Sequence, residues 1–595
     1  MKRYIIIFFT IGIFLVHGCE NFPIGDAFLE KAPGVDVTAD TIFSSLEYAE
    51  RFLWGAYRTL PYGPNTVPAG AKENRMARDW LESLTDINES YLTYGGAFTL
   101  YYNGQYNAGT ENSNTGTKYH LTQEGNYKGI RMSYIFLQNI DRVKDADPAY
   151  IMRLKAEARM IIAIHASDLY RHYGGIPWLT HAYSVNEDFS NILRITARAT
   201  CDSIISMCDK AAADLPWAIE DLEQWDGRFT KAAAMGLKAR MLLFDASPLF
   251  NSDAPYLDGE ASQTKLTWHG EYNADLWKKA ADAAHELITL VESTGDYKLY
   301  HKVGNTYRKD FQDAYYQRGT GETLISIRDR FRSPTGSFTP QNYLFYASAG
   351  YGCGTVTNDY VEMFPMANGL PINAAGSGYN PGNPYINRDP RLYETVVVNG
   401  DTYKGRIAES WIGGRDRLSI TSSGWQTGYF LRKFTLDLNT STSYGSIVHW
   451  PYLRLPEIYL SYAEASNEFN NGPDAEAYRC VNIVRSRVGL GNLPAGLTKE
   501  QFREAVLTER VCEFGWEEIR WYDLIRWKRE SDFTKRLHGI NIRRSATAPY
   551  TYTYELFETP VRYWMLNWSP KWYLSALPSD EINKGYGLVQ NPGWE

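Results

Sequence analysis

Cysteine, long apolar runs and basic tracts are all scarce in this sequence. Six cysteines are spread over 595 residues, with no CxxC pair and no Cys/His set at zinc spacing. That excludes a disulfide scaffold and a zinc module. Cys201 and Cys208 lie seven positions apart in a helical pattern, which puts their Cα atoms about 10 Å apart, beyond the reach of a disulfide. With Cys353, Cys480 and Cys512 they read as buried, inert thiols. Acids outnumber bases, 69 to 61, and no long basic run occurs, so nucleic acid is not an expected partner. Past residue 16 no apolar stretch approaches the roughly 20 residues that span a bilayer.

Motifs of catalysis are missing as well. There is no GxSxG elbow and no P-loop, and His285-Glu286 lacks the second histidine of a zinc protease helix. Gly350-Tyr-Gly-Cys-Gly opens no helix and is a weak dinucleotide signal. Asp437, Asn439 and Ser441 alternate like the start of a calcium loop, but the required glycine and distal glutamate are absent. No metal and no cofactor are expected, and the chain does not read as an enzyme.

Three features stand against these absences. The first is the start of the chain. Lys2 and Arg3 precede an apolar run from Tyr4 to Val16, and Gly18 sits directly before Cys19. That order of charge, apolar core and small residue is the order of a cleaved secretory signal. It resembles a bacterial lipoprotein signal, in which Cys19 would become the lipidated first residue of the mature protein. His17 departs from the pattern, since a small or apolar residue is usual there. Without residues 1–18 the chain keeps 577 of its 595 residues, enough for a large core.

The second is helical periodicity. Thr41–Leu60, Tyr127–Val143, Arg153–Tyr173, Ala197–Leu215, Lys231–Phe250 and Asp275–Thr294 all carry apolar stripes at a 3.6-residue period. From about Gly319 to Pro451 the chain turns rich in Gly, Pro, Asn, Ser and Tyr. Thr323–Arg328 and Tyr393–Val398 are strand candidates there, and the remainder reads as loops. Helices return after Pro451: one stripe runs from Leu455 to Phe469, and a second helix opens at Pro473-Asp474. Thr498 and Gln501 form the capping box of a third. Helix pairs of this kind stack, because one pair cannot bury its own apolar face.

The third is aromatic content: 17 Trp, 44 Tyr and 25 Phe make up 14% of the chain. Tyr and Trp suit surfaces that grip flat, half-apolar ligands.

Several segments together carry a resemblance. They are Pro451-Tyr-Leu-Arg-Leu-Pro-Glu-Ile-Tyr-Leu-Ser-Tyr-Ala-Glu-Ala, Val481-Asn-Ile-Val-Arg-Ser-Arg-Val-Gly-Leu, Glu509-Arg-Val-Cys-Glu-Phe, Trp516-Glu-Glu-Ile-Arg-Trp-Tyr-Asp-Leu-Ile-Arg-Trp and Gln590-Asn-Pro-Gly-Trp. Upstream, Tyr173-Gly-Gly-Ile-Pro, Asn387-Arg-Asp-Pro-Arg-Leu and Gly428-Tyr-Phe-Leu-Arg-Lys-Phe add to it. Together they closely resemble the SusD/RagB family of outer-membrane lipoproteins of Bacteroidetes. The resemblance implies a mainly α fold, a tetratricopeptide-like helix-pair solenoid with long loops and a few short strands. It implies a cell-surface protein, held in the outer membrane by the lipid at Cys19. Such a protein captures an oligosaccharide or polysaccharide and delivers it, as a lid, to a SusC-like TonB-dependent transporter, without catalysis. A secreted glycoside hydrolase or lyase, and a peptide-binding member of the same family, are the alternatives. The expected organisation is a signal over 1–18, a flexible tether over 19–37, an N-terminal helical region over 38–320 and a C-terminal region over 321–595.

The charge cluster Glu509, Arg510, Glu513, Arg520, Asp523 and Arg526 resembles a catalytic set. Alternating signs at helical spacing form ion pairs, and interleaved Phe514, Trp516, Trp521 and Trp527 suggest a clamped structural network. Ligand contacts are expected on aromatic-rich loops instead. Three stretches fit: Trp80 and Asp86 followed by Tyr101, Tyr102 and Tyr106; then Tyr343, Tyr346 and Tyr351; then Trp411 and Trp425 flanking Gly413-Gly414-Arg415.

Overall fold

The computed structural model describes residues 39–60, 76, 79–93, 95–112, 116–119, 121, 125–184, 186–330, 354–417, 427–434, 436–437 and 447–595. The signal segment, Cys19 and the tether expected over 19–37 lie outside these residues. So do Cys353, Tyr343, Tyr346, Tyr351 and Trp425.

The helices form where the apolar period runs between good end signals. Ser45 caps α1 (Leu46–Tyr57) by accepting from the Tyr48 amide, and α2 spans Asn126–Asn139. Helix α3 (Pro148–Tyr173) opens on the Asp147 cap with proline in its first turn and stops at Gly174. Thr196 and Thr230 cap α4 (Ala197–Asp214) and α5 (Lys231–Ala246). Helix α6 (Asp275–Thr294) ends on left-handed Gly295, and α7 covers Tyr307–Tyr316. In the C-terminal part α8 (Leu455–Phe469), α9 (Ala475–Arg487) and α10 (Lys499–Phe514) follow, then short α11 (Arg520–Arg526). The capping box at Thr498 and Gln501 is formed in both directions.

These helices stack as pairs: α1 on α2, α3 on α4, α5 on α6 and α8 on α9. Neighbouring pairs join through α2–α3, α4–α5 and α6–α8, and α10 packs on α8. Each pair thus covers the apolar face of the next, as the repeat argument requires. The α6–α8 contact carries the stack across residue 320, and one continuous hydrophobic core includes residues from both sides.

Among the described residues, four two-stranded antiparallel sheets decorate this body. Strand β1 (Thr323–Arg330) pairs with β2 (Ile447–Arg454), with Ser326 opposite Pro451. A proline fits there because both strands of such a sheet are edges, so no ladder donor is lost on the outer side. The strand expected over Tyr393–Val398 is half helix: Asp389 caps a turn over Pro390–Thr395, and only Val396–Val397 pair, with Phe430–Leu431. A proline-led cap outranked the apolar pattern there. Strands β3 (His538–Arg544) and β4 (Tyr552–Glu558) form a hairpin.

The charge cluster is structural. Glu513 is fully buried and takes hydrogen bonds from Arg391, Arg454 and Arg487 at 3.1, 2.9 and 2.5 Å. Arg510 and Arg526 share Asp523, and Arg485 and Arg391 share Glu509. Most of these pairs join different elements rather than neighbouring turns of one helix, which is why they fasten α9, α10, α11 and the Asp389–Arg391 turn together. Cys201, Cys208, Cys480 and Cys512 are buried thiols outside any disulfide, with burial pushing each thiol's pKa up.

Candidate functional site

Of the expected ligand residues, the first stretch is absorbed by packing. Trp80 is 4% exposed and sits among Trp450, Trp516 and Phe434, with ring centroids 5.5–6.2 Å away. Asp86 is buried and accepts two hydrogen bonds from Arg520, at 2.9 and 2.8 Å, and one from Lys535 at 2.8 Å. Burial alone would push its carboxyl up, yet these two cations hold it well below the usual carboxylate range. Tyr101 and Tyr106 are buried and stacked at 4.7 Å. The Tyr101 hydroxyl accepts from the Lys118 amide, and the Tyr106 hydroxyl donates to Glu111. Half-buried Tyr102 donates to the Ser83 carbonyl under the Arg562 guanidinium. Trp80, Asp86, Tyr101, Tyr102 and Tyr106 therefore leave the ligand site. Their rings are packed, and apart from the Trp80 indole Nε1, which has no hydrogen-bond partner among the described residues, their polar atoms are engaged within the protein.

The third stretch fares differently. Trp411 lies on a loop pinned to the hairpin by the Ile412 amide, which donates to the Ile542 carbonyl at 2.7 Å. The loop turns sharply at Gly413-Gly414. Gly413 has φ +93°, and a Cβ on Gly414 would fall 2.3 Å from the Glu409 carbonyl oxygen. The glycines are thus a steric requirement. The half-buried Trp411 ring faces Arg544, whose guanidinium carbon is 3.8 Å from the ring centroid.

Beyond Arg544 opens a groove of about 460 Å³ that the sequence reading had not singled out. One wall is the 382–401 segment with Asn383, Tyr385, Tyr393, Asn399 and Asp401; the other is the hairpin with Tyr550, Thr551, Tyr552 and Tyr554. The walls are stiff. Arg388 donates to the carbonyls of Pro384, Val361 and Phe364, and Tyr393 donates to the Tyr385 carbonyl at 2.6 Å. Tyr385 and Tyr429 hydroxyls lie 3.0 Å apart, and Tyr429 donates to Asn358. Tyr554 meets Tyr385 edge-on at 5.6 Å, which ties the two walls together. Tyr550, by contrast, is 52% exposed, and Tyr552 and Tyr554 are half-buried.

The one carboxylate in the groove lining, Asp401, is engaged. It takes both terminal nitrogens of Arg308 at 2.9 Å and Arg432 at 3.1 Å. The groove therefore offers aromatic faces with amide and hydroxyl rims, and no carboxylate free for acid–base work. A period-2 signal over Tyr552-Thr-Tyr-Glu-Leu-Phe-Glu could have flagged the hairpin. Among the described residues no helix is long and apolar enough to cross a membrane, and no cluster of His, Cys, Asp or Glu fits a metal ion.

Comparison with known proteins places the chain. The SusD family matches residues 313–594, and the family described as starch-binding, associating with the outer membrane, matches residues 27–243. The SusD-like protein P25 of Formosa agariphila is 37% identical over 409 residues, covering 67% of this chain and 68% of that protein. The chain belongs to the SusD family. Among solved SusD-like structures, one from Bacteroides fragilis aligns with a TM-score of 0.73 at 22% identity, covering 95% of this chain and all of that one. A SusD-like carbohydrate-binding protein of the same organism aligns at 0.67 and 21% identity, covering 91% and 99%. The mainly helical SusD fold with short two-stranded sheets is thus shared over nearly the whole chain.

Proposed function

We propose that this SusD-family chain is a cell-surface glycan-binding lipoprotein that performs no chemistry on its ligand. Lipid at Cys19 holds it in the outer membrane, the segment over 19–37 tethers it, and it delivers its ligand as a lid to a SusC-like TonB-dependent transporter. The observation that carries the binding step is the groove of exposed and half-exposed tyrosines on stiff walls. A pyranose has an apolar C–H face that packs on Tyr550, Tyr552 or Tyr554, and hydroxyls that meet Asn383, Asn399 and main-chain groups. The family's description as starch-binding and the carbohydrate-binding Bacteroides fragilis relative support the same ligand class. Binding without hydrolysis is supported by the neutralised Asp401, since glycoside cleavage needs two carboxylates free to act across one bond.

The test is calorimetry of the full chain in detergent against a panel of oligosaccharides, with reducing ends assayed afterwards. A bound glycan recovered intact, with affinity lowered about fivefold to tenfold in Tyr550→Ala, is expected from the loss of one stacking face. Reducing ends released by the pure protein would overturn the reading in favour of a hydrolase.

A further inference from the structure

Among the described residues, one cation beside the groove wall has no anion. Arg544 closes β3 opposite Tyr552 of β4. Its guanidinium carbon lies 3.8 Å from the Trp411 ring centroid and 4.3 Å from that of Tyr550. Arginines around it are neutralised: Arg543 by Glu555, Arg406 by Asp416, and Arg308 and Arg432 by Asp401. Among the described residues the Arg544 side chain makes no hydrogen bond and no ion pair; the two rings are what hold it.

A guanidinium is planar, and its five N–H donors point outward along its edges. Rings against its faces leave those edges available, in the fork geometry that matches two oxygens of one anion. Stacking also fixes the side chain before a ligand arrives, which removes part of the ordering cost of binding. Tyr550, one of the two rings, is itself a wall of the groove. We infer that the groove selects an acidic glycan, one whose sugar bears a carboxylate or sulfate group, and that Arg544 reads that charge. This rests on the glycan-binding reading above. The net charge of −8 over the whole chain does not oppose it. Over a screening length of about 8–10 Å the local cation decides, not the distant surface.

Calorimetry with the full chain in detergent tests it, using a uronate oligosaccharide, a sulfated oligosaccharide and a neutral glucan of equal length. The expected result is an acidic ligand bound about tenfold more tightly than the neutral one, a difference of about 1.4 kcal/mol. The tighter of the two acidic arms identifies the group that is read. Arg544→Gln then lowers the acidic-to-neutral ratio about tenfold, and Arg544→Lys retains part of it. Salt offers a readout that needs no variant: affinity for the acidic ligand falls as ionic strength rises, and affinity for the glucan does not. An acidic-to-neutral ratio near one in the native chain, or a ratio untouched by Arg544→Gln, overturns the inference while bound glucan leaves glycan binding standing. Failure of all three ligands to bind overturns both.

Discussion

Asp86→Asn separates a structural carboxylate from a ligand-binding one. Asp86 and Arg520 are both buried, and Lys535 adds a second cation. The amide cannot satisfy the Arg520 fork with charge, so the substitution leaves a buried guanidinium uncompensated. Breaking a buried pair in this way costs about 3–5 kcal/mol. Unfolding entropy of about 2.1 cal/mol/K per residue, over the 489 described residues, is about 1.0 kcal/mol/K. The melting temperature should therefore fall by about 3–5 °C at pH 7, measured by scanning calorimetry. The sign with pH follows from the lowered carboxyl. Its stabilisation is fully present above the ordinary Asp value of about 3.9 and is lost as pH falls through the folded value. The gap between native and variant should then be constant at neutral pH and close below about pH 4. Glycan affinity at 25 °C should stay within twofold. A variant that melts with the native protein but has lost its ligand would refute this reasoning and return Asp86 to the binding site.

Asp79 shows the opposite sign. Burial pushes its carboxyl up to about 6, against hydrogen bonds from Ser83, Ser90 and the Trp80 amide. Native stability should drop by about 3 kcal/mol relative to Asp79→Asn between pH 4 and pH 6, as the unfolded chain ionises first. A flat difference across that range in urea titrations would exclude it. The buried thiols at 201, 208, 480 and 512 should resist an aromatic disulfide reagent in the native protein and react on unfolding. Fast native labelling at any of the four, mapped by mass spectrometry, would contradict the packing described above.

The helical body was legible in the sequence because its signals are local. Stripes over Arg153–Tyr173 and Asp275–Thr294, the Thr498/Gln501 box and the Gly174 stop each act within one or two turns. Strand β2 was not legible, because its partner lies more than a hundred residues away and its own run contains Pro451. The same limit governed the site. Trp411 stands out in the sequence as a loop aromatic beside Gly413-Gly414, while its place against the hairpin and the groove beyond depend on Tyr550, Tyr552 and Tyr554 meeting a wall from residues 382–401.

The sequence by itself determined the helix pairs, the SusD-family resemblance and the surplus of tyrosine. Only the tertiary structure decided which tyrosines face outward. Tyr106 and Tyr550 both stand in polar, turn-rich stretches, yet one is 3% exposed and the other 52%. A side chain's chemistry and its periodic position say which way it points from its own backbone. What covers it is set by elements distant in the chain: Trp572, Ala576 and Trp594 close over Tyr106. Around Tyr550 only Arg544 approaches among its described polar neighbours, and the ring remains open to solvent.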